Sequence, residues 1–239
     1  MKFIRQKISD VVLIEPLIHS DDRGYFLESY NKKAFEQFLG QEINFVKDSE
    51  SKSSRKVLRG LHYQIAPFSQ AKLVRVIAGT VLDVAVDIRK NSSTYGQHYS
   101  VELSEDNKTV FWIPPGFAHG FVSLEDGTIF TYKCTEVYNK ESEGALVWND
   151  ETLNINWGVD HPLVSDKDMI AGSFIDFESE FYGKTLGRIV GKEDTEILLL
   201  DMETRGEFVE FPDELNHTFS FTDLQLRWNK KERSFISEG

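Results

Sequence analysis

An all-β sandwich or barrel is the fold class this sequence predicts, on two grounds. Apolar and β-branched runs are short and recur about every ten residues, and Gly/Pro clusters separate them. The stretch Leu73 to Ile88 holds two such runs broken at Gly79. Later runs, Val110 to Ile113, Gly120 to Leu124 and Thr128 to Cys134, are divided by Pro114-Pro115-Gly116 and Glu125-Asp126-Gly127. A few short helices are expected, the clearest over Lys32 to Phe38 with Asn31 as its N-cap. Neither an internal repeat nor a low-complexity tract interrupts this pattern.

Length and composition agree with a folded enzyme-sized domain. A chain of 239 residues buries roughly 70% of its unfolded surface, which is enough for a core without staples. Hydrophobic residues at 40% and charged residues at 28% make a globular mixture and exclude a wholly disordered chain. No apolar run approaches the ~20 residues of a membrane span. Met1 to Lys7 carries charges with no hydrophobic region behind it, so no signal peptide is expected. The single cysteine, Cys134, cannot close an intrachain disulfide and fits a reducing cytoplasm. With 27 basic against 39 acidic residues the net charge is −12, which argues against broad nucleic-acid binding. A local cationic pocket for a small anion remains compatible with that charge.

A seam is expected near residue 183, giving a main domain over 1–183 and a small β-rich C-terminal extension over 184–239. The extension lacks Tyr and Cys, and its apolar runs (Ile197 to Leu200, Phe208 to Phe211, Phe219 to Leu226) read as further strands. Arg227 to Arg233 reads as a frayed terminus. Nothing His-rich, Cys-rich or Gly-rich in the extension supports separate catalysis.

Two stretches carry candidate chemistry: Leu58-Arg59-Gly60-Leu61-His62-Tyr63-Gln64, and Pro114-Pro115-Gly116-Phe117-Ala118-His119-Gly120-Phe121. The second fits P-x-G-x-x-H, a turn that delivers a histidine onto a strand. Alternation puts His62 and Gln64 on one strand face, and Phe130, Tyr132 and Cys134 on another. One interior can therefore collect His62, His119, Tyr132 and Lys72: an imidazole near neutrality, a phenol as donor and an ammonium for an oxyanion. A lone histidine or tyrosine in a β-protein is usually a packing residue; the cluster is what points to acid–base work.

Residues 1 to about 175 resemble the nucleotide-sugar epimerases of the cupin superfamily, the dTDP-4-dehydrorhamnose 3,5-epimerase family. The matching stretches are DDRGYFLESY (21–30), LRGLHYQ (58–64), AKLVRVIAGTVLDVAVDIRK (71–90), WIPPGFAHGF (112–121), TYKC (131–134), GALVWND (144–150) and SDKD (165–168). The resemblance implies a cupin-type jelly roll and a substrate that is a 4-keto-6-deoxyhexose on a nucleoside diphosphate. The C4 carbonyl acidifies the C3 and C5 protons, so each centre inverts by deprotonation to an enolate and reprotonation from the other face. By motif position His62 would be the base, held by Asp168, with Tyr132 returning the proton and Lys72 stabilising the enolate oxygen. No cofactor is implied, because the ketone is the electron sink.

The resemblance further implies that Arg23, Phe26 and Glu28 bind the nucleotide from a strand exchanged with a second subunit of a homodimer. Guanidinium, ring and carboxylate suit phosphate, base face and base N–H. Arg59 would add a diphosphate contact and Tyr138 an aromatic wall, with Lys47, His119, Glu143 and Lys167 completing the substrate-binding set. The chain departs from the family at Lys47-Asp48-Ser49-Glu50, where Gln-Asp-Asn-His is common, which bears on the nucleotide and on how many carbons are inverted.

No metal is expected. Metal-binding cupins supply H-x-H, then Glu, then the turn histidine; here the pair is His62-Tyr63-Gln64 and the Glu position is Lys72, whose ammonium repels a divalent cation. Two further readings stand beside the 3,5-epimerase. One is a 3,4-ketoisomerase or single-centre epimerase on similar substrates. The other is a non-catalytic sugar-nucleotide-binding module, which would not need the acid–base set that this chain retains.

Overall fold

A computed structural model describes residues 1–183 and, beyond them, five strands of the C-terminal part. The elements run β1 (Lys2–Arg5), β2 (Val12–Glu15), β3 (Ile18–Asp21), β4 (Gly24–Leu27), α1 (Lys32–Leu39), β5 (Lys47–Ser53), β6 (Val57–Gln64), β7 (Lys72–Ala78) and β8 (Thr80–Asp87). They continue with β9 (His98–Ser104), β10 (Val110–Ile113), β11 (Phe117–Ser123), β12 (Thr128–Cys134), β13 (Glu143–Ala145), β14 (Leu163–Val164) and α2 (Asp166–Met169). The C-terminal strands are β15 (Thr185–Ile189), β16 (Ile197–Leu200), β17 (Thr218–Phe221), β18 (Leu224–Asn229) and β19 (Ser234–Ser237).

Residues 1–88 and 94–180 form one compact unit; residues 89–93 and 181–239 form a second. The first is a sandwich of two six-stranded sheets. One sheet has the order β1-β2-β10-β7-β12-β5, and the other β13-β6-β11-β8-β9 with β14 parallel to β6. The expected all-β class holds, as a sandwich rather than a closed barrel. The second unit contains the five-stranded antiparallel order β16-β15-β17-β18-β19. Arg227 to Asn229, expected to fray, instead lie in β18 paired with β19. The expected strand at Phe208 to Phe211 lies outside the described residues, as do residues 230–233.

Period-2 alternation sorts each strand between two cores. In β10, Phe111 and Ile113 point into the sandwich with Val74, Val76, Val81, Leu103, Phe121 and Phe130. Val110 and Trp112 point the other way and pack with Val12, Ile14, Leu73 and Phe35 of α1. The helix is capped as its sequence predicts. Asn31 accepts from the Ala34 N–H at 3.0 Å, and Gly40 at φ 75° donates to Glu36 O at 2.8 Å. Phe35 is fully buried and meets Trp112 edge-on, with centroids 5.0 Å apart. Phe35→Ala is expected to cost about 3–5 kcal/mol of stability while sparing catalysis, measured by denaturant unfolding alongside turnover.

Candidate active site

A cavity of about 390 Å³ opens between the sheets, lined by residues of both. Its walls include His62, Lys72, Tyr132, Asp168, Lys47, Arg59, His119, Tyr138, Glu143 and Lys167. The site residues expected from the sequence are thus brought together, with the exception of Arg23, Phe26 and Glu28. Those three belong to the β3–β4 hairpin and the loop after it, and do not line the cavity. Arg23 is 89% exposed and pairs only locally with Asp21 at 2.6 Å; Phe26 is 70% exposed.

A β-bulge aims the histidine. Along β6, His62 pairs with His119 and Arg59 with Phe121, so two residues, Gly60 and Leu61, oppose the single Gly120. Arg59 and His62 are three apart and would face opposite sides of a regular strand; the extra residue returns both to the cavity. The bulge requires glycine at both positions. Gly60 has φ +134°, and a Cβ there would lie 2.5 Å from Gly120 Cα.

The bulge also frees a donor. The Gly60 N–H turns to Asp168 Oδ2 at 3.3 Å, and His62 Nε2 donates to Asp168 Oδ1 at 2.6 Å. Asp168 is buried, with its side chain 4% exposed against 30% for His62. It arrives from 106 residues away because β14 pairs parallel with β6 and the chain then turns through Ser165, whose hydroxyl accepts from the Asp168 N–H at 3.2 Å. With Nε2–H committed to the carboxylate, Nδ1 keeps the ring lone pair, which is the arrangement of a general base.

A second histidine–carboxylate pair lies deeper. His119 Nε2 is 3.0 Å from both oxygens of Asp83, and both residues are buried. Burial pushes the His119 imidazole below its ordinary value; the Asp83 charge and hydrogen bond oppose that, while Lys72 and His62 add to it. Asp83 was not singled out in the sequence. Its signal was an acid flanked by buried Val81 and Ala85 on the inward face of β8, which demands a partner. Ser165 was likewise missed, although Ser165-x-x-Asp168 carries the spacing of a helix N-terminus.

Lys72 faces inward from β7 on the same side as Val74 and Val76. Burial lowers its ammonium pKa, while Cys134, Asp83 and Glu143 raise it and Lys47 lowers it. At the outer wall, Lys167 pairs with Glu143 at 2.5 Å and the Tyr138 hydroxyl donates to the same carboxylate at 2.9 Å. Burial alone would raise the Glu143 carboxyl; the hydrogen bonds from Lys167 and Tyr138 and the nearby charges bring it below its usual value. Among the described residues no three His, Cys, Asp or Glu side chains cluster in a metal-ligating arrangement. No helix of the described residues is long and apolar enough to cross a membrane.

Comparison with known proteins follows from this geometry. The family model described as dTDP-4-dehydrorhamnose 3,5-epimerase matches residues 5–176. The dTDP-4-dehydrorhamnose 3,5-epimerase of Shigella flexneri is 49% identical over 176 residues, covering 74% of this chain and 97% of that protein. A crystal structure of the Elizabethkingia anophelis enzyme of that description superimposes with a TM-score of 0.71 at 49% identity, over 74% of this chain and 97% of the other. A Legionella pneumophila epimerase solved in complex with dTDP-4-keto-L-rhamnose gives 0.71 at 46% identity, over 74% of this chain and 94% of that one.

If Asp168 fixes the tautomer of His62, Asp168→Asn leaves the fold intact and lowers kcat by about 10²–10⁴-fold with a smaller change in KM. Steady-state kinetics with a thermal melt checks this.

Proposed function

The chain belongs to the dTDP-4-dehydrorhamnose 3,5-epimerase family, isomerases of nucleotide-linked sugars, and from that premise we propose how its own residues invert C3 and C5 of a dTDP-4-keto-6-deoxyhexose. The observation that carries the reading is the His62–Asp168 pair at 2.6 Å in a cavity that Tyr132 and Lys72 also line.

His62 belongs to one sheet, and Tyr132 and Lys72 to the other. A sugar ring held between the sheets meets the base on one face and the phenol on the other, which is what inversion requires. His62 Nδ1 removes the proton next to the ketone, and the resulting imidazolium is stabilised by the Asp168 carboxylate. The electron pair moves into the C4 carbonyl, where the Lys72 ammonium offsets the enolate charge. Tyr132 delivers a proton to the opposite face, and the ketone re-forms. No electrons leave the substrate, so the step balances without a cofactor. The 3,4-ketoisomerase and binding-module readings have no comparable support: the relatives are epimerases, and the acid–base set is assembled.

The same reading assigns a homodimer. Arg23, Phe26 and Glu28 are chemically suited to a nucleotide yet project from an exposed hairpin away from their own cavity, consistent with service in a partner's site. It also assigns the cytoplasm, where the free, buried Cys134 stays reduced.

Two measurements test these assignments. In D₂O with dTDP-4-keto-6-deoxyglucose, NMR should show deuterium entering C3 and C5. His62→Ala should slow exchange and inversion together by about 10²–10⁴-fold. Tyr132→Phe should slow inversion much more than exchange; equal loss of both would make Tyr132 a positioning residue. For the dimer, mixing inactive His62→Ala protomers with inactive Arg23→Ala protomers should restore turnover, because one site of each heterodimer then holds both side chains. No recovery, with subunit exchange verified, overturns the exchanged-hairpin assignment.

A further inference from the structure

The inward face of β5 carries no apolar side chain. Lys47, Ser49, Ser51 and Ser53 alternate with the exposed Asp48, Glu50 and Lys52. A strand face turned toward a sandwich interior is ordinarily apolar, since each buried hydroxyl or ammonium needs a partner. Ser53 Oγ has one, the Arg59 Nε–H at 3.3 Å. Ser51 Oγ is buried, lines the cavity and makes no hydrogen bond. This face is built to meet a polar ligand.

Register locates its cation. Lys47 lies directly across from Cys134, and Cys134 directly across from Lys72, so two lysines flank one buried thiol on the same face. On its other side the Lys47 ammonium stands 6.0 Å from the centre of the Tyr138 ring. Neighbouring cations are already committed: Lys133 to Asp48 and Lys167 to Glu143. Lys47 has no carboxylate partner among the described residues.

In a nucleoside diphosphate sugar, the diphosphate separates the reacting sugar from the base. The reading above, on which this inference rests, places Lys72 at the sugar's C4 oxygen and Tyr138 at the base. The residue that neighbours both is Lys47. We propose that Lys47 is a substrate-contacting, specificity-determining cation that binds the diphosphate of the nucleotide sugar, sharing that anion with Arg59.

A consequence reaches the reacting end. Lys72 is faced by Lys47 from β5, Asp83 from β8, His119 from β11, Cys134 from β12 and Glu143 from β13. Burial lowers the Lys72 ammonium first, and the Lys47 charge lowers it further. Bound diphosphate neutralises Lys47 and so favours a charged Lys72 when substrate is present. Without the Lys47 charge, the free enzyme's Lys72 titrates at higher pH.

The test compares dTDP with thymidine on the full chain. Lys47→Gln should weaken dTDP about ten- to a hundredfold, the size of one charge-assisted contact, and leave thymidine within twofold. Lys47→Arg should restore dTDP binding. The alkaline limb of kcat/KM should move to higher pH in Lys47→Gln, a shift that a merely structural role would not produce. An unchanged dTDP affinity, or equal weakening of dTDP and thymidine, overturns the proposal. Should Lys47→Gln fail to fold, Lys47→Met keeps the side-chain stem against Tyr138 and carries the same comparison. Nucleotide binding needs no turnover, so failure here is separable from failure of the acid–base assignments, which deuterium exchange reads.

Discussion

The alternation of side chains on β7 and β12 is the constraint on which the rest of the site depends. One rule, period 2 on a pleated sheet, sends Val74, Val76 and Phe130 into the sandwich. It therefore also sends in Lys72, Tyr132 and Cys134, which continue the same faces toward the cavity. Polar groups at these positions are affordable only where the two sheets leave space between them. The stacked pair Phe121 and Phe130, with centroids 4.2 Å apart, marks the change from packed core to cavity. A one-residue slip in the pairing of β7 with β12 would turn base-facing chemistry outward and bury Leu73 and Lys133 instead, so core packing and catalytic register are one specification.

Electrostatics in this cavity are organised by carboxylates that the solvent does not reach. Asp168 and Asp83 are both buried, and each is matched to a histidine Nε2. Burying a carboxylate without a partner is costly, and removing one partner of such a pair typically destabilises by about 3–5 kcal/mol. The two pairs differ in solvent contact. His62 is partly open to the cavity, where it can exchange a proton with a bound sugar; His119 is closed in, and its imidazole is held below its ordinary value chiefly by burial. The exposed pair suits a base, and the enclosed pair suits a fixed hydrogen-bonding group.

How much of this was legible in the sequence follows from how local each feature is. Strands at Val110 to Ile113 and Thr128 to Cys134 and the capped helix after Asn31 were readable because alternation, caps and turn residues act within a few positions. His62, Lys72 and Tyr132 stood out by residue type on alternating strands, and Asp168 by resemblance alone, since its partner is 106 residues away. The bulge at Gly60 was invisible: nothing local says that two residues of β6 will oppose one of β11. The second unit's inclusion of residues 89–93 was equally hidden, because it rests on the backbone pairing of Lys90 with Phe181 and Gly183. Arg227 to Asn229 were misread because their charges resemble a solvated end, whereas an edge-adjacent strand tolerates charges on its outward face.

Gln64 shows how one substitution redirects a fold's chemistry. Metal-binding cupins place a second histidine at this position. Here its amide nitrogen donates to Phe68 O at 2.6 Å and Val137 O at 3.0 Å, and its oxygen accepts from the Asn139 N–H at 2.9 Å. Gln70 adds two more donations, to Glu136 O and Val137 O. Together they pin the segment that carries Tyr138 to the rim of the cavity, and Tyr138 in turn holds Glu143. A side chain that elsewhere ligates an ion is thus wholly engaged in fixing an aromatic wall. Lys72, at the position of the carboxylate ligand, supplies positive charge as part of the protein itself, covalently placed where the enolate oxygen forms. The fold keeps a cationic centre at that point of the sandwich and exchanges the ion's open coordination for an ammonium that register, rather than ligand geometry, locates.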